Sequence, residues 1–262
     1  MTEPDFKLLQ ADDPPPVTVV RPDSPSPFLL VCDHAGNLIP RKLGTLGVSE
    51  ADRRRHIAWD VGAAEMANRV SELLDAPLVL QTYSRLVIDC NRDPKVESAM
   101  PRLSEITEIP GNRDLHPREA AARIKEIFQP YHDRITAMLD ARAAAGRRTI
   151  LVALHSFTPY FEGRGARPWH IGILYNRDDR LPRIMLELLG AEPELTVGDN
   201  EPYKISDETD YTIPVHGERR GILHVEIEVR HDEIESEKGQ RTWAAQLVHI
   251  LEQAAKRLET VA

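Results

Sequence analysis

Short apolar runs alternate along this chain with segments in which apolar residues recur every three or four positions. The runs FLLVC at 28–32 and ILVAL at 150–154 contain no charged residue, which is typical of strands buried on both faces of a sheet. Residues 61–74 and 124–139 carry apolar side chains at helical spacing, which predicts amphipathic helices. This alternation predicts an α/β domain with a mixed, mostly parallel sheet flanked by helices.

The predicted elements run from residue 28 to the last helix. Pro130 interrupts the longest helical pattern, so we expect a kink or a break there. Asp60 is placed to cap the helix after the first strand. The predicted strands are FLLVC (28–32), APLVLQTYS (76–84), RLVIDC (85–90), RTILVALHS (148–156), HIGILY (170–175) and LHVEIEV (223–229). The predicted helices cover 60–74, 124–139, 179–189 and 243–258.

The first 27 residues differ in composition from the rest. They contain the proline- and aspartate-rich stretches ADDPPP and RPDSPSP, and proline favours extended backbone. We therefore expect residues 1–27 to form an extended arm. Residues 28–262 show neither an internal repeat nor a linker, so we expect them to form a single domain.

Charge and cysteine content bear on partners and compartment. The formal net charge is −9, so no basic excess favours binding to nucleic acid or to an anionic membrane. No run reaches the roughly 18 apolar residues of a membrane span. Cys32 and Cys90 lie in apolar runs, and the first residues show no signal-peptide pattern. We therefore expect a cytoplasmic protein without disulfides, and the sequence is compatible with a monomer or an oligomer.

Ionisable and polar side chains gather where predicted strands end. The carboxyl ends of parallel strands meet at one edge of an open α/β sheet, so these side chains are expected to share a site. They are Asp33 and His34, then Asp89, Asn91 and Arg92, then His155 and Ser156, and finally Glu228 and Arg230.

Two histidines and one carboxylate from separate elements are a ligand set for catalytic zinc, and a spare carboxylate nearby can serve as general base. The candidate ligands are His34, Asp60 and His155. The candidate general base is Glu228.

Alternatives stay open at several of these positions. Glu226 points to the same side of its strand as Glu228, so either glutamate is a candidate base. His56 lies four residues before Asp60 and is a rival ligand. A cysteine nucleophile is disfavoured because both thiols lie in apolar strands, and the chain lacks the GxSxG pattern of a serine nucleophile.

Several blocks of the chain resemble those of the N-formylglutamate amidohydrolase family. In chain order they are VCDHAGNLIP, AWDVGAAEMA, SRLVIDCNRDP, ALHSFTPYFEGRGARPWHIGILYNRD and EIEVRHDEI, spanning roughly residues 28–240. The DHAGN block is closer to the subgroup of predicted members than to the histidine-degradation enzymes, whose first block more often reads like PHSG.

The resemblance implies a metal-dependent amidase of amino-acid catabolism that acts on linear amides, with 28–262 as its catalytic domain. It implies a fold related to zinc exopeptidases and to zinc-dependent muramoyl-alanine amidases. By position, the family pattern falls on His34, Asp60 and His155 as ligands of zinc or another divalent metal, and on Glu228 as base.

The expected substrate is a small N-formyl or other N-acyl amide of glutamate or a similar acidic amino acid. Arginine forks bind carboxylates best. The candidate substrate-binding residues are Arg85, Asn91, Arg92, Ser156, Arg164 and Arg167, the last two in the loop EGRGARPW. The alternatives are another zinc-dependent deacylase or carboxypeptidase-like hydrolase, and a non-catalytic ligand-binding homologue.

Overall fold

The computed structural model describes residues 6–163 and 165–261. The strands are β1 (Val17–Val20), β2 (Phe28–Cys32), β3 (Leu78–Gln81), β4 (Leu103–Ser104), β5 (Thr107–Glu108), β6 (Ile150–Phe157), β7 (Tyr160–Phe161), β8 (Gly165–Ala166), β9 (Ile171–Leu174), β10 (Val197–Asp199) and β11 (Leu223–Arg230). The α-helices are α1 (Glu50–Arg53), α2 (Ala63–Leu73), α3 (Pro117–Arg123), α4 (Gln129–Ala144), α5 (Arg180–Gly190) and α6 (Glu237–Val261).

A seven-stranded sheet forms the centre of the fold, in the order β1-β3-β2-β6-β11-β9-β10. β2 is parallel to both β3 and β6, and β6 is parallel to β11. β1 is antiparallel to β3, and β9 is antiparallel to β11. The predicted mixed, mostly parallel α/β fold is therefore confirmed, and the carboxyl ends of β2, β6 and β11 meet at one edge of the sheet.

Apolar side chains fill both faces of the sheet because adjacent strand residues point in opposite directions. Leu30 and Val152 pack on the face covered by α2, α5 and α6. Leu29 and Leu151 pack on the other face, against Ile135 of α4. Every residue of β6 is buried, which explains the apolar run ILVAL at 150–154.

The predicted strand at 85–90 is wrong. Residues 84–91 form turns and coil, although Leu86 and Val87 are fully buried. The Asn112 side chain donates a hydrogen bond to the Leu86 carbonyl, and Arg123 donates one to the Val87 carbonyl, each at 2.8 Å. Side chains thus satisfy backbone groups that a neighbouring strand would satisfy in a sheet.

The N-terminal segment predicted as an arm contributes to the sheet. Val17–Val20 of β1 pairs with β3 along one edge. Further upstream, Leu8 is fully buried, and the Glu126 carboxylate accepts hydrogen bonds from the backbone nitrogens of Leu8 and Leu9 at 2.7 and 2.8 Å. Neither β1 nor β10 was anticipated from the sequence, since both are short.

The long helical pattern continues through Pro130. A π-helical turn at Ile124–Phe128 joins α3 to α4, and Pro130 lies at the start of α4. Proline lacks an N–H, and its ring crowds the carbonyl of the residue four positions earlier. For Pro130 that residue is Glu126, which lies within the wider π-helical turn. The chain therefore accommodates Pro130 with a wider turn rather than a break. Among the described residues, no helix is both long and apolar enough to cross a membrane.

Candidate metal centre

Three buried side chains converge at the carboxyl edge of the sheet. Asp33 and His34 directly follow β2, His155 lies near the end of β6, and Asp60 lies in the loop before α2. One ligand-type atom of each lies within 4.8 Å of the others. The parallel pairing of β2 with β6 brings the two histidines together, and the Asp60 amide donates a hydrogen bond to the His34 carbonyl at 2.9 Å.

The predicted capping role of Asp60 is wrong. α2 begins at Ala63, and the residue before it is Gly62, with φ 76°. A Cβ at Gly62 would lie 2.3 Å from the Ile234 carbonyl oxygen, so glycine is needed there. The Asp60 carboxylate does not cap α2. It accepts hydrogen bonds from His155 Nδ1 at 2.8 Å and from the Ser156 amide at 3.2 Å.

Two further carboxylates hold the Nε2 atoms of the imidazoles. Asp89 Oδ1 lies 2.6 Å from His34 Nε2, and Asp33 Oδ2 lies 3.0 Å from His155 Nε2. Thr212 Oγ1 donates to the other Asp33 oxygen at 2.7 Å. Such carboxylates fix the orientation of metal-binding histidines. They leave His34 Nδ1 and His155 Nδ1 facing each other at 3.2 Å, beside Asp60.

The electrostatics of this cluster favour ionised carboxylates. Burial works to raise the pKa of Asp33, but the hydrogen bond and charge of His155 outweigh it and lower that pKa to about 2. Burial likewise opposes the charges of Arg85 and His34 at Asp60, whose pKa nevertheless falls well below its ordinary value. Three buried acids beside two imidazoles form a donor set of the kind that divalent metals bind.

Arg85 supplies positive charge directly at the cluster. Its Nη2 contacts both His34 Nδ1 and Asp60 Oδ1. Arg92 pairs instead with Asp210. The structure thus brings Arg85 onto the candidate ligand atoms, whereas Arg92 already has an acidic partner.

Two glutamates of β11 face the same region. Asn91 donates a hydrogen bond to Glu226 Oε2 at 3.2 Å. Glu228 pairs in register with His155, and its buried Oε2 has no hydrogen-bond partner among the described residues. Burial is the main cause that raises the pKa of Glu226 to about 7 and that of Glu228 to about 8. Glu228 is therefore a carboxyl group able to exchange a proton near neutral pH.

The remaining predicted residues take different positions. The Ser156 hydroxyl donates to the Val61 carbonyl at 2.8 Å. His56 lies 3.1 Å from Glu105 instead of joining the cluster, so the rival ligand is not brought to the centre. Arg164 lies outside the described residues.

Arg167 is in contact with the aromatic rings of Phe161 and Tyr203. Its guanidinium lies 4.8 Å from the ring centroids of both Phe161 and Tyr203, and the residue is 7% exposed. Its Nη1 donates to the Tyr203 hydroxyl at 2.9 Å. Within 6–163 and 165–261, no carboxylate pairs with Arg167. Neither Tyr203 nor Thr212 is predictable from the sequence, because their contacts with Arg167 and Asp33 span long stretches of the chain that no local pattern signals.

The chain matches one family model and several solved structures. A family model described as N-formylglutamate amidohydrolase matches residues 26–235. The structure of the gene product Atu2144 from Agrobacterium tumefaciens is 41% identical, with TM-score 0.93, covering 97% of this chain and 100% of that one. The N-formylglutamate amidohydrolase of Ralstonia eutropha JMP134 is 19% identical, with TM-score 0.66, covering 92% and 97%; it shares the fold. No protein with a curated description matches the chain in sequence.

Proposed function

Because the chain belongs to the N-formylglutamate amidohydrolase family, we propose that it hydrolyses the N-formyl or another N-acyl amide of glutamate or a similar acidic amino acid. The observation that carries the proposal is the buried cluster of His34, Asp60 and His155 beside Glu228, whose Oε2 has no hydrogen-bond partner among the described residues. A buried group of this kind is costly to fold unless it serves a purpose.

The residues of the cluster fit a divalent metal ion. Both imidazoles present Nδ1 toward Asp60 while their Nε2 atoms are held by acids, which is the arrangement expected of metal-binding histidines. We propose that His34, Asp60 and His155 hold zinc or another divalent metal. When bound, the metal would supply Lewis-acid polarisation of the amide carbonyl and a lower pKa for water.

We propose Glu228 as the general base. Glu226 already accepts a hydrogen bond from Asn91, whereas Glu228 Oε2 has no partner in the described part of the chain. Glu228 takes a proton from water as its oxygen adds to the acyl carbon, and returns it to the amine nitrogen as the C–N bond breaks. The products are the carboxylic acid, formate for a formyl group, and the free amino acid.

We propose that Arg167 binds a carboxylate of the amino-acid part. Its guanidinium is nearly buried and has no acidic partner in the described ranges, which is the state expected of a receptor for an anionic ligand. Arg85 adds positive charge near the acyl group. Three further polar residues orient their neighbours. Asn91 does so through its hydrogen bond to Glu226, Arg92 through Asp210, and Ser156 through the Val61 carbonyl.

The state of the two cysteines bears on the compartment in which the protein works. Cys32 and Cys90 are both free and buried, as is usual for proteins of such compartments. We therefore propose a cytoplasmic enzyme of amino-acid catabolism, with 28–262 as its catalytic domain.

The test is a hydrolysis assay on purified protein supplied with zinc. N-formyl-L-glutamate is compared with N-acetyl and N-succinyl amino acids, and release of the free amine is measured. Glu228→Gln should lower kcat about 10²- to 10⁴-fold while metal content stays unchanged, and the exposed Glu252→Gln should match the wild type. Full activity in Glu228→Gln would contradict the assignment. Absence of hydrolysis on the whole panel would favour the non-catalytic homologue, and release of C-terminal residues from peptides would favour the carboxypeptidase-like alternative.

A further inference from the structure

Tyr203 contacts Arg167 through both its ring and its hydroxyl. The guanidinium carbon of Arg167 lies 4.8 Å from the ring centroids of both Tyr203 and Phe161. Cation–π contacts with two rings restrict the orientation of the guanidinium, and its N–H groups remain the donors for hydrogen bonds. One donor atom, Nη1, is already used on the Tyr203 hydroxyl.

The backbone that carries Tyr203 is fixed by close contacts. A Cβ at Gly172 would lie 2.0 Å from the Glu201 carbonyl oxygen, and a Cβ at Gly198 would lie 2.6 Å from it. The segment before Tyr203 therefore crosses β9 and β10 at a distance that only glycine permits. The position of Tyr203 is thus fixed by the fold, and its side chain packs against the apolar cluster that includes Leu29 and Leu151.

The Tyr203 hydroxyl has one hydrogen to donate. Because its oxygen accepts the bond from Arg167, the O–H remains available, and no acceptor receives it among the described residues. Burial, followed by the charge of Glu228, raises the pKa of Tyr203, so the phenol keeps its proton at neutral pH. The Arg167 guanidinium carbon also lies 5.9 Å from the ring centroid of Phe157, which ends β6 two residues after His155, so the pair lies near the carboxyl end of that strand.

We propose that Tyr203 is a specificity-determining residue, and that its O–H and the guanidinium of Arg167 together bind one carboxylate of the substrate. This inference rests on the proposed function, because the carboxylate belongs to the acidic amino acid released. A carboxylate accepts both donors at once, whereas a carboxamide presents an N–H₂ group that neither donor can satisfy. The pair therefore selects an acid over its amide.

The test is equilibrium binding of L-glutamate and its two mono-amides, L-glutamine and L-isoglutamine, measured by calorimetry on the full chain. Tyr203→Phe keeps the ring and removes the hydroxyl. It should weaken L-glutamate binding about tenfold, the usual effect of losing one hydrogen bond to a charged group. The amide that lacks the recognised carboxylate should bind Tyr203→Phe and the wild type equally.

The exposed Tyr160 provides the matched control, since Tyr160→Phe removes a hydroxyl from the neighbouring strand β7. Its L-glutamate affinity should stay within about twofold of the wild type. Arg167→Lys, which loses the planar fork, should weaken L-glutamate at least as much as Tyr203→Phe. It keeps the proposal testable if Tyr203→Phe does not fold.

Hydrolysis of N-formyl-L-glutamate, measured in parallel, separates this inference from the proposed function. A ligand-selective loss of affinity in Tyr203→Phe supports the subsite, even when no hydrolysis occurs. Equal weakening of all three ligands, unchanged L-glutamate binding, or no binding of any of them to the wild type would overturn the subsite, even when hydrolysis proceeds.

Discussion

Acid should destabilise this protein through two buried histidines, His132 of α4 and His216. His132 Nε2 donates to the Cys90 carbonyl at 2.8 Å, so His132 Nδ1 accepts from His216 Nε2 at 2.9 Å. These partners assign a neutral tautomer to both rings. Burial lowers the pKa of His132 to about 4, and burial together with His132 lowers that of His216 to about 3.

Neighbouring charges do not offset burial. The charge of Asp33 acts to raise both pKa values, Asp133 acts to raise that of His132, and Arg220 acts to lower that of His216. Each ring has an ordinary pKa of 6.5, so the unfolded chain binds more protons than the folded one below that value. Stability from this source is therefore present above about pH 6.5 and is lost as the pH falls toward about 4.

The magnitude follows from the interval between the ordinary pKa and the working pH. At about pH 5 the unfolded His132 is nearly all charged, whereas the folded residue is nearly all neutral. About 1.5 pH units at about 1.4 kcal/mol each give a loss of about 2 kcal/mol relative to pH 7.5. His216 contributes a similar amount.

The assay is urea unfolding of the wild type and of His132→Gln at both pH values. Other titrating groups act on both proteins alike, so the difference between their free energies of unfolding isolates His132. That difference should change by about 2 kcal/mol in favour of the variant from about pH 7.5 to about pH 5. His249→Gln, at an exposed position, should show a constant difference. A constant difference for His132→Gln would refute the reasoning.

Two further substitutions test how the site is held. Asp89→Asn should weaken zinc binding about 10- to 100-fold in a chelator competition, because Asp89 holds a candidate ligand at 2.6 Å. The exposed Asp114→Asn should not change it, and equal affinities for both variants would contradict the orienting role. Arg123→Met should lower the free energy of unfolding by about 2–4 kcal/mol, since the fully buried Arg123 donates to the Val87 carbonyl. The exposed Arg134→Met should change it by less than about 0.5 kcal/mol, and a similar small change in Arg123→Met would show that the loop does not depend on this bond.

The residues at the strand ends could be predicted because uninterrupted apolar runs are enough to identify buried parallel strands. FLLVC and ILVAL are buried on both faces, and β2 and β6 are neighbours in the sheet. Once those strands are parallel, the polar residues that follow them meet at one edge. That rule brought His34 and His155 together from the sequence alone, although their role as metal ligands stays a prediction.

The segment 85–90 was mispredicted because an apolar run reports burial and not backbone conformation. Its carbonyls bond to Asn112 and Arg123, which lie more than twenty residues away along the chain. Asp60 was mispredicted as a cap for a related reason. Its carboxylate finds His155, a contact that local helix signals do not contain.

Arg167 and Tyr203 show the same limit of prediction from local sequence patterns. The sequence placed Arg167 in the loop EGRGARPW but did not predict its burial, and the residue is 7% exposed beside the rings of Phe161 and Tyr203. The ring of Tyr203 arrives from a segment that crosses β9 and β10. Their meeting depends on the order of strands in the sheet, which the sequence does not encode locally.

The central claim is that His34, Asp60 and His155 hold the metal on which hydrolysis depends. The most direct measurement is elemental analysis of the purified wild type and of His155→Ala, with His170→Ala as the control outside the cluster. We predict about one zinc, or an equivalent divalent metal, per wild-type and His170→Ala chain, and loss of both metal and N-acyl amino acid hydrolysis in His155→Ala. Metal retained by His155→Ala, or a wild type that binds no metal even with added zinc, would contradict the claim.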